Sequence, residues 1–88
     1  MPRFLIERNV GNQSEAEAAA AALRAIEVVS EMEGVRWIKS YVSSPLGKIF
    51  CEYEAPSADA ILEHARRAGL PADVVTEITV EVSPDMFQ

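Results

Sequence analysis

The two side chains with the widest chemical repertoire are a lone cysteine and a lone histidine, Cys51 and His64. Imidazole and thiolate together suit nickel, zinc or copper. Glu7, Tyr53 or a partner chain could complete such a coordination sphere. No C-x-x-C, H-x-x-x-H or H-E-x-x-H spacing accompanies the pair. The residues alone therefore leave three readings open: metal ligands, a cysteine nucleophile with a histidine base, or a packing cysteine beside a hydrogen-bonded helix histidine. Glu52 and Glu54 share a strand face and could pair as carboxylates, but nothing else marks them. There is no glycine-rich phosphate loop.

A length argument brings Cys51 and His64 to one height. Ser57 opens a helix that runs back over the preceding strand. About seven helical residues at ~1.5 Å carry it ~10 Å, as far as three strand residues at ~3.3 Å. His64 falls at the margin of the stripe Ala58, Ile61, Ala65 and Ala68, where a side chain reaches solvent and core together.

The elements that must position these residues follow from periodicity and punctuation. Residues 3–8 read as a first strand, and Asn9-Val10-Gly11-Asn12 as a turn. Ser14 or Asn12 caps a helix over about 15–33, with Ala19, Ala22, Leu23, Ile26 and Val29 at helical spacing. Gly34 is the expected stop. Residues 35–43 and 48–55 read as strands joined by Ser44-Pro45-Leu46-Gly47. Ser57 or Asp59 caps a second helix to about Ala68, closed by Gly69, and residues 74–82 read as the last strand. The order βαββαβ predicts one ferredoxin-like α+β domain over 1–88, with an antiparallel sheet and both helices on one face.

Strict alternation then assigns Phe4, Ile6, Ile38, Val42, Ile49, Cys51, Tyr53, Ile78 and Val80 to the helix-covered face. Leu5, Trp37, Tyr41 and Phe50 fall on the other, among Glu7, Lys39, Glu52, Glu77 and Glu81. Such an apolar set on an open face predicts a homodimer interface.

Composition excludes several classes. With 88 residues the chain is just long enough for one core, so a subunit partner would help. A net charge of −6 argues against phosphate-backbone binding, hence against a nucleic-acid partner. The Ala-rich run is interrupted by Glu17 and Arg24, so no membrane span is expected. One cysteine gives no disulfide framework, and a cytoplasmic location is the expectation.

The segments PRFLIER, WIKSYV, KIFCEYEAP, ILEHARRAGLPADVV and the final VSPD resemble a family of small bacterial domains of unknown function. That family includes a nickel-responsive, nickel-binding protein with a ferredoxin-like fold and a dimeric state. The resemblance implies Glu7, Arg8, Ser40, Tyr41, Cys51, Tyr53 and His64 as the characteristic polar positions. The turn SSPLG is longer and less acidic than the family's. The expectation is a dimeric nickel-binding domain for sensing or storage, with His64, Cys51, Glu7 and Tyr53 as candidate ligands. The alternatives are a small-molecule enzyme of the dimeric α/β-barrel monooxygenase or isomerase type, and a ligand-free interaction module. An apolar pocket lined by Tyr53, Ile38 and His64 would favour the enzyme.

Overall fold

Phe4, Ile6 and Arg8 alternate inward along the first strand, and that parity organises the rest of the molecule. The computed structural model describes residues 1–88. Its elements are β1 (Arg3–Asn9), α1 (Glu15–Glu31), β2 (Arg36–Ser43), β3 (Lys48–Glu54), α2 (Ala58–Ala68) and β4 (Val74–Ile78), followed by a short 3-10 turn, Pro84–Phe87. The sheet is antiparallel with order β2-β3-β1-β4, the ferredoxin-like arrangement.

Both helices begin where the sequence offers a cap. Ser14 accepts from the Glu17 backbone N–H, and Glu17 in turn accepts from the Ser14 N–H, a reciprocal capping box. Ser57 accepts from the Ala60 N–H, and Gly69 closes α2 in the left-handed conformation, φ +67°. Gly34 lies beyond the end of α1, which is capped at Met32, and turns the chain into β2 at φ +80°.

The core lies between the sheet and α2, with Phe4, Ile6, Tyr53, Ala55 and Ile61 almost fully enclosed. Burial of a large apolar side chain contributes roughly 1.5–3 kcal/mol, so these few residues dominate the stability of so small a chain. The inward stripe of α1 differs from the expected one. Ala25 and Val28 are buried, with Ala21, Ala22 and Val29 beside them, whereas Leu23 and Ile26 face solvent. The helix is turned so that its small side chains approach α2 and the sheet.

Strict alternation also fails on two strands. In β2 the register shifts between Trp37 and Lys39: Trp37 pairs with Tyr53, then Lys39 with Glu52 and Ser40 with Cys51. Ile38 is the extra residue, a β-bulge that resets parity. Trp37 therefore faces the helices instead of the open face, and Ser40 joins it there. In β4, Val75 pairs with Ile6, while Ile78 pairs with Arg3 on the helix-free face and Glu77 with Phe4. The strand also stops at Ile78, so Val80 lies beyond it, in a tail whose Val80, Val82, Met86 and Phe87 are all exposed. On the helix-free face Leu5, Tyr41 and Phe50 remain together, as expected.

Candidate functional site

His64 is placed by α2 and locked by α1. It is 1% exposed, so it sits inside the seam and not at a margin. Its Nε2 lies 3.1 Å from the Ala25 carbonyl oxygen, and a carbonyl only accepts, so Nε2 carries the proton and donates. The ring also packs against Tyr53, centroids 5.0 Å apart and tilted by 58°. Burial lowers the His64 pKa, with the Arg8 charge acting the same way and the Ala25 contact opposing. The imidazole is thus neutral at pH 7.

Cys51 is buried on β3, in a different hydrogen-bonded chain. Trp37 Nε1 donates to Ser40 Oγ at 2.9 Å, and Ser40 Oγ donates to Cys51 Sγ at 2.9 Å. The bulge creates this chain, because it turns Trp37 onto the helix-covered face that Ser40, at the parity of Val42, already occupies. No hydrogen bond joins Cys51 to His64, so the nucleophile–base arrangement is not formed.

Tyr53 contacts both groups, stacked on Trp37 at 6.4 Å and tilted against His64 at 5.0 Å. Burial pushes its phenol up to about 12, against the opposing influence of Arg8. Glu7 is elsewhere. Its parity puts it on the helix-free face, opposite Phe50 and 3.8 Å from Lys48 Nζ. The sheet separates it from Cys51, Tyr53 and His64.

The residue that spacing did not single out is Arg8. It is 3% exposed, an unusual state for a guanidinium. Nη1 donates to the Pro71 carbonyl at 2.6 Å, while Nη2 is buried with no partner. Its carbon centre lies 5.9 Å from the Tyr53 ring centroid. The signal was present in the sequence: Arg8 has the same parity as Phe4 and Ile6.

Arg8, Trp37, Ser40, Cys51 and Tyr53 line an open, largely apolar cleft of about 210 Å³ between α1 and the sheet. Ala21, Ala22 and Ala25 form its helical wall. The small side chains of α1 are what leave this space. Tyr53 lines the cleft as expected; Ile38 and His64 do not.

A resident nickel ion needs several converging nitrogen, sulfur or oxygen donors. No three histidine, cysteine, aspartate or glutamate side chains of the chain converge. Nε2 of the lone imidazole already donates to a carbonyl, and the lone thiol accepts from a serine. The interior residues of one chain do not fit such an ion.

Residues 4–78, from β1 to the end of β4, match the model of a family described as nickel responsive protein SCO4226-like. Among solved structures, the chain resembles the crystal structure of SCO4226 from Streptomyces coelicolor A3(2), with a TM-score of 0.81 and 25% sequence identity. The match covers 91% of this chain and 99% of that one. No curated protein matches the chain. With both helices and all of the sheet except the first residue of β1 inside the matched span, the chain belongs to the SCO4226-like family of nickel responsive proteins.

Proposed function

We propose that the domain acts in a nickel response as a sensing domain, that it works as a homodimer, and that nickel is held where two copies meet. Family membership over residues 4–78 is the observation that carries the nickel response. Of sensing and storage, the interior favours sensing, because storage calls for a preformed chelating set and no such set converges within one chain.

Two apolar surfaces support the homodimer. Leu5, Tyr41 and Phe50 share the helix-free face. The tail carries Val80, Val82, Met86 and Phe87 at 71%, 65%, 62% and 78% exposure. A second copy that covers the sheet face with its own face or tail removes both from water. Glu7 lies on that same face, so a carboxylate from each copy is available there to a shared ion. The net charge of −6 favours approach of a divalent cation.

Sedimentation equilibrium tests the association. Wild type is expected to dimerise, and Phe50→Glu to dissociate it at least tenfold more readily by placing a charge in buried apolar surface. A wild type that stays monomeric at high micromolar concentration with nickel present would overturn the proposal.

A further inference from the structure

Arg8 is a buried cation without an anion. No carboxylate lies within ion-pair distance of it, and its Nη2 donor has no acceptor. The neighbouring Tyr53 phenol, raised by burial, and His64 imidazole, lowered by burial, are neutral at pH 7 and supply no compensating charge. An unpaired buried charge is costly, and removing it from water is repaid only by a partner. The fold keeps this charge on the wall of an apolar cleft instead of replacing it with a hydrocarbon side chain.

The structure assigns this cleft as a binding site for a small organic anion, a carboxylate with an apolar body, whose head pairs with Arg8 and whose body lies against Trp37 and the alanine wall of α1. The size fits that class. About 210 Å³ is below the ~300–1,000 Å³ of sites for drug-sized ligands. The charge fits as well, since a guanidinium offers planar donors suited to a carboxylate. The lining is otherwise mostly apolar, so a fully hydrated inorganic ion would gain little from entering. The assignment stands apart from the nickel response: it uses none of the helix-free face.

The sole tryptophan makes the test direct, because Trp37 lines the cleft. Its fluorescence is followed during titration of the full chain with phenylacetate and, separately, with its uncharged isostere phenylacetamide, both in EDTA to exclude metal. Phenylacetate is expected to bind at least tenfold more tightly than the amide. Arg8→Met should abolish that preference. Ala22→Leu, which narrows the cleft from α1 and leaves Arg8 in place, should weaken both ligands several-fold. A thermal melt of each variant identifies any that fails to fold, and chemical-shift changes in the wild-type Arg8 side chain give a readout independent of them. Equal affinity for the two ligands in wild type would overturn the assignment, as would a preference surviving in folded Arg8→Met or the absence of any response to phenylacetate.

Discussion

His64 and Tyr53 pack ring against ring, 5.0 Å between centroids, in a seam closed from above by the Ala25 carbonyl. This contact makes His64 a structural group with a titratable consequence. Its folded-state pKa lies below the ordinary value of 6.5 because burial disfavours the charged ring. The unfolded chain therefore binds the proton first as pH falls. Stability from His64 is fully present above about 6.5 and is lost as pH drops from there toward the lowered folded value. Denaturant midpoints between pH 7.5 and 5 should fall in wild type. In His64→Gln that slope should flatten, since the lowered carboxylates Glu17, Glu54 and Glu63 act mainly below the ordinary carboxylate value of 4.5.

The Trp37–Ser40–Cys51 chain predicts a second effect. Ser40→Ala removes the acceptor of the indole N–H. The expected cost is about 1 kcal/mol, with a shift in tryptophan emission, because a half-buried donor is left unpaired. Chemical denaturation followed by Trp37 fluorescence measures both at once.

Gly47 and Gly69 are both left-handed, at φ +62° and +67°, but differ in surroundings. A Cβ on Gly69 meets nothing, whereas one on Gly47 would lie 2.9 Å from Gly11 Cα. The Gly47 carbonyl also accepts from the Val10 and Gly11 N–H groups, tying the β2–β3 turn to the β1–α1 turn. Gly69→Ala should cost about 1 kcal/mol for the backbone conformation alone. Gly47→Ala should cost clearly more, because those turns must also separate. Parallel urea melts of the two variants check the order.

Spectrophotometric titration of the phenols offers a probe of the core. Tyr53 should ionise only near pH 12, and Tyr53→Phe should remove that step. A raised folded pKa means that stability is lost as pH climbs above the ordinary value of 10, so unfolding should accompany the ionisation.

Much of the fold was legible because its signals are local. Caps at Ser14 and Ser57, the stop at Gly69 and the short strands gave the element order and from it the sheet topology. Face assignments were legible on β1 and β3, where alternation is unbroken. They failed at the start of β2, at Trp37 and Ile38, because an inserted Ile38 leaves no local mark that distinguishes a bulge from a regular strand; Tyr41 and Val42 beyond it lie on the faces expected. Consequently Trp37, expected at an interface, lines the cleft, and a Trp37→Glu variant reports on the cleft and not on dimerisation. The face of α1 was misread because alanines fill most of its first half, and alanine gives weak contrast between inside and outside. The height match of Cys51 and His64 fixes no lateral placement, since α2 crosses over β1 and not over β3. Each ended in its own hydrogen-bonded group, His64 under Ala25 and Cys51 beside Ser40. Arg8 went unread as a cleft residue because a charge at an inward parity is usually taken as solvent-facing.

The most direct measurement of the central claim is the stoichiometry of nickel binding, by calorimetric titration of untagged protein beside sedimentation of the same samples. The account predicts about one ion per two chains, bound by the associated form, with Glu7→Gln weakening binding and His64→Gln leaving affinity unchanged when folded. One ion per chain bound tightly by a monomer, with affinity lost in folded His64→Gln, would contradict it.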